Sequence, residues 1–250
     1  MIFIIKDLLK VISFVLIIAI LTVLFSFLTV SFIPGLFGKE ENKDIPSPAS
    51  SGHKRVLIVD PGHGGEDPGA VGIGGLLEKD LNLSVSGKIA SLLEFEGYTV
   101  VMTREDDSLL YSKDAPGGKK SQDLRSRLEF EKKYPDGVFI SVHMNKFPFE
   151  YCRGVQVYYS DNNPESRVIA EGLMKSVKAY IQPENNREIK AADSSIYILN
   201  NIKIPAVLIE CGFISNFDEA KLLQTDEYRS IISAVFSYSV INSLSNNKER

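Results

Sequence analysis

Val56-Leu57-Ile58-Val59-Asp60-Pro61-Gly62-His63-Gly64-Gly65 is the segment on which the reading of this chain turns. Four aliphatic residues in a row, closed by Pro and Gly, read as a strand buried on both faces, the kind found inside a parallel sheet. Downstream, Leu81, Val85, Ile89 and Leu92 recur at helical spacing, Gly97 supplies a stop, and Tyr98 to Met102 returns as a strand. Leu124 and Leu128 mark a second helix, followed by the strand Val138-Phe139-Ile140-Ser141-Val142. Val155, Val157 and Tyr159 alternate with Gln156 and Tyr158, as expected of a half-exposed edge strand. Asn163-Pro164 reads as an N-cap with Pro at the first helical position, with Ile169, Leu173 and Val177 behind it. Ala206-Val207-Leu208-Ile209 is the last buried strand, and Asp226 is expected to cap a closing helix with Tyr228, Ile231, Ile232 and Val235 on its apolar face. Strands alternating with helices predict an α/β fold with a mostly parallel sheet.

Outward from this core the composition changes. Val11 to Ile33 runs without a charge and, as a helix, would span roughly 35 Å, enough to cross a hydrocarbon core of about 30 Å. Lys6 and Lys10 precede it, so the short N-terminus is expected to stay cytoplasmic and the rest to face outward, as an anchored or a cleaved, secreted protein. Residues 34–54 are rich in Pro, Gly, Ser and charge and read as a linker. The expected organisation is an N-terminal membrane segment at 1–33, the linker at 34–54, a catalytic domain at 55–245 and a polar tail at 246–250. A net charge of -4 over 250 residues offers no basic field for nucleic acid. Two cysteines, Cys152 and Cys211, are too few for a disulfide scaffold or a cysteine-built zinc site, so any metal must rely on His and carboxylates.

In open parallel sheets ligands bind beyond the carboxyl ends of the strands. After the first strand comes Asp60-Pro61-Gly62-His63, after the third His143-Met144-Asn145, and after the last Glu210-Cys211-Gly212. Two of the three histidines in the chain therefore reach one rim. A catalytic zinc needs a third ligand, and a carboxylate is the usual complement of two histidines; Glu78 and Glu210 are the candidates. Glu78 opens the first helix near that rim, which leaves Glu210 as an unligated carboxylate suited to a general base and later acid. Asp60, ahead of Pro61, reads as a turn-forming residue rather than an additional ligand.

These segments resemble the zinc-dependent N-acetylmuramoyl-L-alanine amidases of the type 3 family. The resemblance rests on Val59-Asp60-Pro61-Gly62-His63-Gly64-Gly65 with Asp67-Pro68-Gly69-Ala70, on Glu78-Lys79-Asp80-Leu81-Asn82-Leu83, on Ser141-Val142-His143-Met144-Asn145, and on Ile209-Glu210-Cys211-Gly212-Phe213-Ile214-Ser215-Asn216. Gly97-Tyr98, Thr103-Arg104 and Tyr197-Ile198-Leu199 also fit, so it covers roughly residues 56–244. It implies a three-layer α/β/α sandwich, zinc ligands at His63, Glu78 and His143, and a catalytic glutamate at Glu210. The implied reaction is hydrolysis of the amide joining the lactyl group of N-acetylmuramic acid to L-alanine in peptidoglycan. Asn145 and Arg187 fall where family members line the groove, and a cation there suits a stem-peptide carboxylate.

The chain also departs from the family pattern. Met144 stands where a small residue is common, and is expected to pack beneath the groove. Gly154 follows Asn145 by nine positions, too few for the regulatory insertion of division-associated relatives. No repeated wall-binding module is visible, so placement is expected from the N-terminal segment or an accessory protein. The single domain behind a hydrophobic N-terminus is most similar to the germination-specific, CwlD-like members, which implies spore cortex peptidoglycan as substrate. Two rival readings are a thiol enzyme with Cys211 as nucleophile and a non-catalytic peptidoglycan-binding protein. Cys211 follows Glu210 in an extended segment, so its side chain is expected on the opposite face, in the core.

Overall fold

The computed structural model describes residues 55–111 and 118–246. The membrane segment expected at 1–33, the linker at 34–54 and the tail beyond Asn246 lie outside the described residues. Among the described residues no helix is long and apolar enough to cross a membrane.

Six strands form one sheet: β1 (Leu57–Pro61), β2 (Val100–Met102), β3 (Val138–Asn145), β4 (Gln156–Tyr159), β5 (Lys190–Ala191) and β6 (Ala206–Phe213), in the order β2-β1-β3-β6-β4-β5. The pairs β1/β2, β1/β3, β3/β6 and β4/β5 are parallel, and β4/β6 is antiparallel. The helices are α1 (Glu78–Phe95), α2 (Lys119–Lys133), α3 (Pro164–Tyr180), α4 (Tyr197–Asn201), α5 (Phe217–Gln224) and α6 (Asp226–Asn246), with a 3-10 turn at Ile73–Gly75.

Strand alternation divides the core into two layers. Leu57 and Val59 of β1, Val138, Ile140, Val142 and Met144 of β3, and Val207, Ile209 and Cys211 of β6 pack against α1, α3 and α6. Ile58, Phe139, Ala206 and Leu208 face the other way, onto α4 and the partly buried Leu124 and Leu128 of α2. The result is an α/β/α arrangement with a mostly parallel sheet. Each fully buried aliphatic side chain contributes about 1.5–3 kcal/mol. The second layer, covered by α2 and the five-residue α4, is the thinner one.

Several local expectations shift. Asn163 does cap α3, accepting from the Glu165 N–H with Pro164 at the first position. Gly97, with φ 78°, ends α1 in the left-handed region that glycine favours. On α1, however, Leu93 is buried and Leu92 exposed, because the stripe runs 81, 85, 89, 93. On α6 the buried stripe is Ile232, Phe236, Val240 and Leu244, while Ile231 is exposed. Asp226 is the first residue of that helix, and Thr225 Oγ1 takes the cap position by accepting from the Tyr228 N–H at 3.2 Å. The β4 segment is not an edge strand: the two-residue β5 pairs outside it, and Gln156 is buried. Strands β3 and β6 also run past their aliphatic cores, so His143 and Glu210 lie within them rather than after them.

The C-terminal end of β1 is built over a buried charge. Asp60, fully buried, accepts from Thr103 Oγ1 at 2.6 Å and Ser141 Oγ at 2.7 Å, and pairs with Arg127 of α2. It is thus neither a metal ligand nor a turn-forming residue but the anchor of three elements. Burial works against its charge, yet Arg127, Thr103 and Ser141 outweigh it and hold the carboxyl below the usual range. Replacing Arg127 by Met removes the countercharge and leaves a buried carboxylate unpaired. Urea unfolding of Arg127→Met is expected to show a loss of about 3–5 kcal/mol.

Candidate metal centre

The turn after β1 carries His63 in a left-handed conformation, φ 61°, the one non-glycine residue with positive φ among the described residues. Such backbone costs about 1–3 kcal/mol and persists only where the surroundings hold it. Here two buried arginines do so. Arg127 donates to the carbonyls of Pro61 and His63, each at 2.9 Å, and Arg104 to those of Pro61 and Gly62, each at 3.0 Å. Asn82 Nδ2 is a second donor to the Gly62 carbonyl, at 3.1 Å.

The turn delivers His63 to Glu78, the first residue of α1. His63 Nδ1 is held by Asp67 Oδ2 at 2.8 Å, which leaves Nε2 facing Glu78 Oε2 at 3.3 Å. His143 approaches from β3, its Nδ1 at 2.9 Å from Glu78 Oε1. The Glu78 carboxylate is further fixed by the Met144 N–H at 3.1 Å and the Ala70 N–H at 2.7 Å. One ligand atom from each of His63, Glu78 and His143 lies within 4.8 Å of the others. Two imidazoles and a carboxylate, one imidazole oriented by a second carboxylate, form a donor set suited to zinc.

Glycines make room for this set. A Cβ on Gly62 would stand 2.2 Å from the His143 ring, and one on Gly69 would stand 2.6 Å from Glu78 Oε2. Gly69 also has φ 65°, which a side chain would strain.

Glu210 sits beside His143 in the parallel register of β3 and β6. Its Oε2 is shielded from solvent and has no hydrogen-bond partner. Burial, with Glu78 nearby, outweighs the two histidines and raises its carboxyl to about 7. Glu78 behaves oppositely: burial alone would raise it, but His143 and His63 hold it well below the carboxylate range. Burial works against a charge on His63, yet Glu78 and Asp67 prevail and raise its pKa to about 9.

Cys211 is fully buried on the other face of β6, where burial pushes its thiol well up. A thiolate nucleophile is therefore not available there. Met144 is buried in the core, as its position implied. Asn145 closes β3 opposite Phe213, and the Arg187 guanidinium lies 4.7 Å over the Phe213 ring, so both groove candidates reach one rim. Sequence reasoning missed the roles of Asp67, Arg104 and Arg127. Asp67, at the i+4 position from His63, was the most visible of them.

The protein-family model described as N-acetylmuramoyl-L-alanine amidase matches residues 57–242. The germination-specific N-acetylmuramoyl-L-alanine amidase of Bacillus subtilis (strain 168) is 34% identical over 182 residues, covering 72% of this chain and 76% of that relative. The CwlD amidase from Clostridioides difficile, solved in complex with the GerS lipoprotein, is 36% identical with a TM-score of 0.73, covering 77% of this chain and 99% of that one. AmiC2 of Nostoc punctiforme, also an N-acetylmuramoyl-L-alanine amidase, is 28% identical with a TM-score of 0.66, covering 76% and 97%.

Asp67→Ala frees the His63 ring to rotate without removing a ligand. Competition titration with a chelating dye is expected to show divalent-metal affinity lower by about 10–100-fold.

Proposed function

The chain belongs to the N-acetylmuramoyl-L-alanine amidase family and is an amide hydrolase of peptidoglycan; from that premise we propose that it works through a zinc ion held by His63, Glu78 and His143, with Glu210 as its acid/base group. The observation that carries this reading is the convergence of those three donors beside a shielded, unpartnered Glu210 Oε2. Bound there, zinc would polarise the amide carbonyl and make water a competent nucleophile near neutral pH.

The protein's own groups account for the rest. Asp67 keeps the His63 proton on Nδ1, so that Nε2 is free to ligate. Glu78 arrives ionised and presents one oxygen toward each imidazole. Glu210 is the proton carrier: Oε2 has no other hydrogen bond to break, and a cation nearby favours its ionised form. It takes the proton of the attacking water and passes it to the leaving nitrogen of L-alanine. Burial raises that carboxyl and a cation in the site would draw it back toward the ionised form, the state that accepts a proton from water. Asn145 and Arg187, at the same rim, are proposed to hold the substrate, Arg187 by pairing with a stem-peptide carboxylate.

The germination-specific relative supports spore cortex peptidoglycan, laid down in sporulation and used in germination, as the substrate. The complex of the C. difficile relative with a lipoprotein supports an accessory protein as partner. The apolar run at 11–33 supports an extracytoplasmic location, anchored or secreted.

Glu210→Gln is expected to bind zinc like the native protein while release of stem peptides, followed by mass spectrometry of muropeptides, falls by about 10²–10⁴-fold. Unchanged turnover would remove Glu210 from the chemistry. The raised His63 pKa carries its own consequence. Below about pH 9 the metal-free imidazole holds a proton that ligation must expel, so zinc affinity rises with pH up to that value. Calorimetry near pH 7 in buffers of different ionisation enthalpy is expected to register at least one proton released per zinc bound, that of His63, with a further contribution from Glu210.

A further inference from the structure

Phe147, Phe149 and Tyr151, between β3 and β4, stand 47%, 52% and 77% exposed. They form a continuous ladder. Phe147 and Phe149 are 5.6 Å apart with planes tilted by 50°, and Phe149 and Tyr151 stack at 5.4 Å with planes 15° apart. Contiguous apolar surface of this kind marks an interaction site.

The ladder is fastened to the metal centre. The Phe147 N–H donates to Ser215 Oγ at 3.0 Å, Asn216 Nδ2 donates to the Glu150 carbonyl at 2.6 Å, and the Ile214 N–H donates to the Asn145 carbonyl at 2.9 Å. The three rings are thereby built onto the strand ends that supply His143 and Glu210. Past Tyr151 opens a cleft of about 400 Å³ whose lining includes Arg153, Gln182, Asn185 and Arg187.

We propose that Phe147, Phe149 and Tyr151 are a platform on which sugar rings of the glycan strand stack, beside the muramyl amide to be cut. The proposal rests on the amidase reading and deepens it. An aminosugar ring presents a flat face of C–H groups, weakly positive at their hydrogens, to the negative face of an aromatic ring. Its hydroxyl and carbonyl edge seeks donors such as the guanidinium groups of Arg153 and Arg187 in the adjoining cleft. A lipid surface would also accept exposed rings; the glycan is favoured because the ladder is hydrogen-bonded to the strand ends that carry His143 and Glu210, where the polymer to be cut must lie.

The test is co-sedimentation of the full chain with insoluble glycan strands stripped of stem peptides, which contain no scissile amide. Phe149→Ala with Tyr151→Ala is expected to weaken binding by about tenfold or more. Phe149→Trp is expected to retain it, and Phe149→Leu to weaken it, though less than the double Ala change, since Leu is apolar but has no ring face. Unchanged thermal unfolding of these variants shows that the fold persists. Glycan binding by the double Ala variant equal to that of the native chain overturns the platform; if its partition into liposomes falls instead, the ladder serves a lipid surface. Equal binding by Phe149→Leu and the native chain also overturns the stacking. Failure of the amidase reading appears elsewhere, as no release of stem peptides from intact peptidoglycan by the native chain.

Discussion

A buried ion pair, Asp60 with Arg127, lies beneath everything the metal centre requires. Asp60, next to last in β1, gathers the end of β2, β3 and α2 through Thr103, Ser141 and Arg127. The same Arg127 reaches onward to the carbonyls of Pro61 and His63, so the charge that neutralises Asp60 also holds the strained turn. Buried pairs are poor sources of net stability because both ions surrender water. What this one supplies is position: the turn that carries His63 is held in place by packing and by hydrogen bonds from the same arginine.

The centre then separates two carboxylates by environment. Glu78 lies between imidazoles and two backbone N–H groups, which stabilise the anion. Glu210 lies beside the same imidazoles without a hydrogen bond to Oε2, and burial favours its neutral form. One residue type is thus driven toward opposite ends of its range within a single site, which suits Glu78 to face a cation and Glu210 to carry a proton, the roles proposed for them.

Much of this was legible in the sequence, for identifiable reasons. Runs at 56–59, 138–142 and 206–209 marked the central strands because, Ser141 apart, they are continuously apolar, as strands buried on both faces are. His63, Glu78, His143 and Glu210 were legible because parallel strands deliver their ends to one rim. The order of strands around β4 was not, since β5 is two residues long and pairs through its backbone. Stripe boundaries on α1 and α6 slipped by one residue where neighbouring leucines or isoleucines compete, as at Leu92/Leu93 and Ile231/Ile232. Arg104 and Arg127 were hidden because a buried arginine that satisfies carbonyls is, in one dimension, identical to a solvated one. Asp60 was misjudged for the same reason.

Strands β3 and β6 carry chemistry and core on alternate residues: His143 beside Met144, Glu210 beside Cys211. Because neighbours on a strand face opposite ways, deleting a single residue within Val138–Val142 would exchange the two roles at once, driving an imidazole into the oil and a thioether into water. Length in these strands is accordingly a stricter requirement than identity at most of their positions. The eight residues between Asn145 and Gly154 are held differently, through the hydrogen bonds of the Phe147 N–H and the Glu150 carbonyl to Ser215 and Asn216, so their length is tied to the loop after β6 rather than to a strand register.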